Sequence, residues 1–216
     1  MVKPFIIAID GLAASGKGTL ARQLAKYYSL PYLDTGLTYR AVARSMLENN
    51  IKFSDEETAI QIAKQLNVLK LNPNHLHALS IAEAASKISI LPGLRFVLSQ
   101  KQRKIAQTMP GAVLDGRDIG TVICPNADIK FYIVASIKER AKRRYLQIKK
   151  EHKAIYKNIL SDLKNRDQRD INRVESPLQQ AKDALLLNST KLSINELFEA
   201  ACQLIENKKA SSPIFF

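Results

Sequence analysis

The 216-residue chain sets 33 Lys and Arg against 20 Asp and Glu, a formal net charge of +13, with 46% hydrophobic and 6% aromatic residues and no tryptophan. That length can bury a full core and fits one large domain with an excursion better than two domains. The positive surplus suits polyanions, nucleotides or nucleic acid, without choosing between them, and the few aromatics and lack of a nucleic-acid-reading motif argue against a base-stacking platform.

Met1-Val2-Lys3-Pro4 leads straight into Phe5-Ile6-Ile7-Ala8-Ile9, an apolar run read as a buried strand, which leaves no room for a secretory leader. The stretch Gly11-Leu12-Ala13-Ala14-Ser15-Gly16-Lys17-Gly18-Thr19 follows, and Leu20, Leu24 and Tyr28 share a helical face behind it. Strand, glycine loop and helix is the setting a phosphate-binding loop requires. Glycines let backbone N–H groups turn inward around phosphate oxygens, the helix N-terminus adds positive potential, and Lys17 reaches the transferring phosphoryl group. Gly18 stands where the plain motif has Ser or Thr, so the hydroxyl expected to face Mg²⁺ comes one place later, at Thr19. This Gly-Lys-Gly-Thr ending resembles nucleoside monophosphate kinases more than GTPases or motor ATPases.

Pro31-Tyr32-Leu33 predicts a short second strand ending at Asp34-Thr35-Gly36, with Thr35 capping a helix that carries Tyr39, Val42, Ala43 and Met46 on one face. Asp34, Thr35, Tyr39 and Arg40 then sit beyond the carboxyl ends of the strands, where a doubly wound sheet binds ligands. An insertion-like region comes next. Ser54-Asp55-Glu56-Glu57 reads as a capping box opening a helix to about Leu66, Val68 to Leu71 as extended, and Asn72-Pro73-Asn74 as a break. Ser80 with Glu83 repeats the capping signature before a helix carrying Ile81, Ala84, Ala85 and Ile88; Leu91-Pro92-Gly93 ends it, and Leu94, Val97, Leu98 and Ile105 mark another.

After Pro110-Gly111, Ala112-Val113-Leu114 predicts a buried strand delivering Asp115-Gly116-Arg117-Asp118 at its carboxyl end. An aspartate closing a strand in a phosphate-loop protein is the usual partner of Mg²⁺; as a plain Asp-Gly turn, the same residues would only be solvated charges. Ile129 to Ala135 is a further strand, and Ser136 with Glu139 caps a helix rich in Lys138, Arg140, Lys142, Arg143, Arg144, Lys149 and Lys150. Most of that run reads as a solvated face, with one or two arginines reaching the nucleotide. Arg166, Arg169 and Arg173 recur at intervals that put them on one face if the helix continues, and like charges so stacked point to a phosphate clamp. Ala184 to Leu187 predicts a fifth strand, Ser193 with Glu196 caps a last helix, and Lys208 to Pro213 reads as a frayed tail.

Cys124 and Cys202 are too few and too far apart for a disulfide framework or a zinc site and read as buried free thiols, while His75, His77 and His152 have no metal-ligand spacing and read as solvated or loop residues. No run approaches a membrane span, so the expectation is a cytoplasmic protein. The alternation of strands and helices predicts an α/β fold, a five-stranded parallel sheet covered by helices on both faces.

Taken together, Gly-Lys-Gly-Thr, Leu33-Asp34-Thr35-Gly36 with Tyr39-Arg40, Asp115-Gly116-Arg117-Asp118-Ile119-Gly120-Thr121-Val122 and Arg166-Asp167-Gln168-Arg169-Asp170-Ile171-Asn172-Arg173 stand in the order and spacing of bacterial cytidylate kinases. The resemblance runs from the first strand to about Ala201. It implies the P-loop NTPase fold of nucleoside monophosphate kinases in a single domain: core at about 1–36, 108–150 and 182–208, a monophosphate-binding insertion at about 37–107 and an arginine-rich lid at about 151–181. It implies transfer of the ATP γ-phosphoryl group to CMP or dCMP, with Lys17 and residues 11–19 on ATP, and Thr19 and Asp115 on Mg²⁺, directly or through water. Thr35, Tyr39 and Arg40 fall on the monophosphate side, Arg117 and Arg173 on its phosphate, Ser86, Arg95 and Asp118 at cytosine, and Arg166 and Asp170 at its sugar and base. Arg169 resembles the mobile-lid arginine that neutralises charge between donor and acceptor.

The family usually carries a longer insertion with a small sheet before the Ser86 helix, whereas here the connection from Asn72 to Ser80 is short. The resemblance further implies a monomer acting on small molecules, with no specific nucleic acid and no membrane. Two other readings stay open: a related kinase acting on UMP, AMP or shikimate, and a nucleotide-switched nucleic-acid binder using Lys138 to Lys150.

Overall fold

A computed structural model describes residues 3–148 and 155–210; the expectations for Met1, Val2, Lys149, Lys150, His152 and Ser211 to Pro213 lie outside the described residues. Five strands, β1 (Phe5–Gly11), β2 (Tyr32–Asp34), β3 (Gly111–Gly116), β4 (Ile129–Val134) and β5 (Leu185–Asn188), form one parallel sheet in the order β2-β3-β1-β4-β5. Parallel strands need crossovers, and helices supply them: α1 (Lys17–Tyr27), α2 (Thr35–Glu48), α3 (Glu56–Gln65), α4 (Leu79–Ile88), α5 (Pro92–Ala106), α6 (Ile137–Ile148), α7 (Tyr156–Asn172) and α8 (Ile194–Ala210).

Strand alternation divides the core between the two faces of the sheet. Ile7 and Ile9 pack with Phe131, Val113, Leu20 and Leu24 of α1, and Ala201 and Ile205 of α8. Ala8 and Leu114 face the other way, against Ala106 and Ile119. Two satellite cores lie outside the sheet: Val42, Ala43 and Met46 with Ala59, Leu94 and Leu98, holding α2 to α5 together, and Ala141, Ile148, Ile159 and Leu163 beneath the phosphate loop, with Ala13. The apolar faces read from the sequence for α1 and α2 are the faces that are buried.

Local side chains account for the differences. Asp34, not Thr35, caps α2, accepting from Gly36 N at 2.9 Å, which frees Thr35 to donate to the Asp115 carbonyl at 2.8 Å. Asp55, not Ser54, caps α3 through Thr58 N. The extended piece expected at Val68 to Leu71 is a 3-10 turn, Val68–Lys70, because the Asn67 side chain accepts from Leu69 N; a second, Pro73–Leu76, follows Asn72 in the same way. No side chain caps α4, which begins before Ser80, and Glu83 is engaged elsewhere. At α8 the reciprocal box does form, Glu196 N donating to Ser193 Oγ and Ser193 N to Glu196. Lys208 and Lys209 continue that helix instead of fraying, with Lys209 on Glu206 and over the Tyr28 ring. Cys124 is buried and Cys202 only half-buried. Among the described residues, positions 37–107 contain helices and turns and no strand.

Candidate active site

The register sets the site. Asp34 of β2 stands beside Asp115 of β3, which stands beside Ile9 of β1, so both carboxylates emerge at the carboxyl edge of the sheet next to the phosphate loop. The loop holds left-handed conformations at Ala14 (φ 59°) and Gly16 (φ 93°), and a Cβ on Gly11 would fall 2.3 Å from the Ile133 carbonyl oxygen, so only glycine fits there. Lys17 opens α1 and turns its Nζ back to the Leu12 carbonyl at 3.5 Å. Burial and the nearby Arg117 push the Lys17 ammonium below its usual range, while Asp115 and Asp34 oppose the shift. Burial and the Asp34 charge push Asp115 up, against Lys17 and the Tyr32 hydroxyl, which donates to Asp115 at 2.8 Å. At Gly18 a Cβ would stand 3.4 Å from Asp115 Oδ2, so the residue that departs from the plain motif is the one lying against this carboxylate.

One cleft collects nearly every residue singled out in the sequence. Lys17, Gly18, Thr19, Asp34, Thr35, Tyr39, Arg40, Ser86, Arg95, Asp115, Arg117, Asp118, Arg166, Asp170 and Arg173 all line it, joined by Arg22, Arg144 and Gln147. Cationic side chains outnumber carboxylates there, a surplus suited to phosphates. Asp118 faces Arg95 in a buried ion pair, with Arg173 Nη2 3.5 Å from its other oxygen. The Tyr39 ring lies beneath the Arg95 guanidinium, 5.7 Å from centroid to Cζ. Arg117 donates to Asp170 at 2.6 Å, with Arg166 4.0 Å from the same oxygen, and burial and Arg117 press Arg166 down to about 10. Arg40 reaches the Leu76 carbonyl at 3.4 Å. Among the described residues Ser86 Oγ, Arg166 Nε and Arg173 Nη2 are buried without a hydrogen-bond partner, a cost that a water, an ion or a ligand in the cleft would relieve.

Burial opposes the Asp170 charge, but Arg117, Arg166 and Arg173 outweigh it and hold the carboxyl below its ordinary 3.8. A lowered acid contributes stability above the unfolded value and loses it as pH falls through the folded one. The gap in urea stability between the native chain and Asp170→Asn is therefore expected to be full above pH 3.8 and to close below it; a gap independent of pH would contradict the ion-pair account.

Arg169 does not join the cleft. The helix α7 ends at Asn172, Arg173 leaves it in extended conformation, and the expected single arginine face divides: Arg166 and Arg173 point inward, while Arg169 Nη2 donates to both Glu83 oxygens at 2.9 Å. On the basic helix α6, Lys138 and Lys142 are exposed and Arg144 lines the cleft, while Arg140 and Arg143 turn inward to protein groups. Arg140 is buried and grips Asp167 of α7, the Ala13 carbonyl and the Ala135 carbonyl, and Arg143 holds Ser189 and the Ser15 carbonyl. These two arginines brace the phosphate loop from behind. Ser189, Tyr32 and Asp10 were not singled out from sequence, and Arg140 and Arg143 were named there only as members of the basic run. The available signal was Asp10, a carboxylate closing an otherwise apolar strand.

The family model for cytidylate kinase matches residues 7–207. A cytidylate kinase of Bartonella bacilliformis is 57% identical over 206 residues, covering 95% of this chain and 96% of the relative, and one of Brucella suis biovar 1 is 49% identical over 211 residues, covering 97% and 96%. Solved structures share the fold at low identity: an uncharacterized protein from Eubacterium ventriosum (TM-score 0.56, 15% identity, 94% and 98% coverage) and a gluconokinase from Sinorhizobium meliloti (TM-score 0.53, 11% identity, 98% and 99%). On the match of the whole sheet-and-helix core to that model and the near full-length identity to these relatives, the chain belongs to the cytidylate kinase family.

Proposed function

We propose that the chain transfers the γ-phosphoryl group of ATP to CMP or dCMP, giving ADP and the nucleoside diphosphate. The observation that carries this reading is the buried Arg95–Asp118 pair lining one cleft with phosphate-loop residues and with Ser86, whose hydroxyl has no hydrogen-bond partner among the described residues. Cytosine offers an amine that donates and ring atoms that accept, which a carboxylate or hydroxyl and an arginine match; uracil would turn a carbonyl toward Asp118. Residues about 37–107 then form the monophosphate-binding insertion and about 151–181 the lid of a single kinase domain.

In the reaction, residues 11–19 wrap the ATP phosphates with backbone N–H groups, and Lys17 sits at the transferring group. Arg117 and Arg173 hold the acceptor phosphate with Thr35, Tyr39 and Arg40 beside it, and Arg166 and Asp170 orient its nucleoside end. Phosphoryl transfer asks little covalent chemistry of a protein; alignment and fixed positive charge lower the barrier. The residues also fit Mg²⁺: Thr19 and Asp115 line the cleft, and burial together with the neighbouring Asp34 charge raises Asp115, a strain that a divalent cation would relieve. When bound, Mg²⁺ neutralises phosphate charge. Arg169 leaves Glu83 to face the phosphates when the lid closes, excluding water and protecting ATP from hydrolysis.

The described residues include no helix long and apolar enough to cross a membrane, and the protein is read as a cytoplasmic monomer acting on small molecules without a specific nucleic acid. Calorimetric titration tests the acceptor: CMP and dCMP should bind, with UMP weaker by roughly tenfold or more, as expected for leaving a buried charged group opposite a mismatched carbonyl. UMP binding as tightly as CMP would overturn the assignment of Asp118 and Arg95.

A further inference from the structure

We infer that Asp10, outside the substrate-lined cleft, is a positioning residue that fixes the Arg117-Asp118 segment for the acceptor nucleotide. The inference rests on the cytidylate kinase reading of those two residues. Asp10 lies next to Gly11 at the end of β1, in register with Gly116 of β3, and is buried. Both of its carboxylate oxygens are taken: Oδ1 accepts from Ile119 N at 2.8 Å and Oδ2 from Gly120 N at 2.7 Å. The segment that carries Arg117 and Asp118 is thereby pinned at both ends, by strand β3 before it and by Asp10 after it. Gly120 lies close against this carboxylate: a Cβ there would stand 3.4 Å from Asp10 Oδ2, an ordinary contact, and 3.2 Å from the flexible Lys130 side chain at Cδ.

Burial makes this clamp costly. It raises the Asp10 carboxyl to about 7 against the pull of the two N–H groups, and an apolar side chain in the same place would ordinarily serve a core better. What an apolar side chain cannot do is fix two successive backbone N–H groups. Asparagine can accept from only one of them and presents its own N–H₂ to the other.

Hydrogen exchange on the wild-type protein without nucleotide is the first arm: the Ile119 and Gly120 amides should be strongly protected, and free exchange of both would overturn the clamp whether or not CMP is the acceptor. The second arm compares Asp10→Asn and Asp10→Glu with wild type in cooperative thermal unfolding, in CMP binding by calorimetry, and in KM for CMP and for ATP. The expected result is a rise of roughly tenfold in KM and Kd for CMP, with KM for ATP changed by less than about twofold. An equal rise in both would place Asp10 in support of the phosphate loop instead, and unchanged CMP constants in a folded variant would contradict the inference. A wild-type protein that binds no CMP while protecting both amides would refute the acceptor assignment and leave the clamp standing.

Discussion

Substituting Lys17→Ala is expected to reduce turnover by on the order of a thousandfold or more while changing CMP affinity only a few fold. The side chain is held inside the phosphate loop, with Nζ on the Leu12 carbonyl, where burial and Arg117 work against its charge and Asp115 and Asp34 only partly compensate. An ammonium kept in such a place gains most when a polyphosphate arrives, because the phosphate charge favours the protonated form and offsets the cost of burial. Alanine removes the cation and leaves Arg117 and the Tyr32 hydroxyl to offset Asp115. The residues proposed for the acceptor, Arg117 beside Lys17 and the Arg95–Asp118 pair, remain. Single-turnover rates with saturating Mg·ATP, alongside CMP binding, separate the two quantities, and a matching loss of CMP affinity would contradict the donor-side placement of Lys17.

The second large effect belongs to Arg169→Ala, for which a loss of roughly a hundred- to a thousandfold in kcat is expected with little change in CMP affinity. In the structure this arginine is on Glu83, both carboxylate oxygens at 2.9 Å from one nitrogen, and its Nη1 is buried without a hydrogen-bond partner among the described residues. Among the described residues its one ion pair is with the half-exposed carboxylate of Glu83 on α4. An exposed pair of this kind contributes little stability, so exchanging Glu83 for phosphate oxygens costs little when the cleft closes. Interactions made only in the transition state lower kcat and kcat/KM together; an equal weakening of CMP binding would mean that Arg169 holds the ground state.

The sheet was legible because its strands are short apolar runs, most of them bounded by Pro, Gly or Asp, and the phosphate loop because Gly11 and Gly16 have positive-φ conformations that favour glycine. Pairing order and register, which put Asp34 beside Asp115, are long-range facts that no local pattern contains. Caps were less legible: Ser54 and Asp55 are adjacent and chemically equivalent acceptors, and only the path of the chain selects Asp55. Arg140 and Arg143 were hidden for another reason. A run of basic residues on a helix looks the same whether it meets water or, as here, the carbonyls of Ala13, Ser15 and Ser189 brought close by the fold. Arg169 shows the limit of helical spacing, which locates a side chain on a face but cannot tell which of two neighbouring partners it takes.

The most direct test of the central claim is ADP release from Mg·ATP by the purified protein, offered CMP, dCMP, UMP, AMP, GMP and shikimate in separate reactions, with Lys17→Ala as control. Strong release confined to CMP and dCMP, and lost in the control, is the predicted result; release driven by UMP, AMP or shikimate in place of CMP, or none with any acceptor, would contradict it.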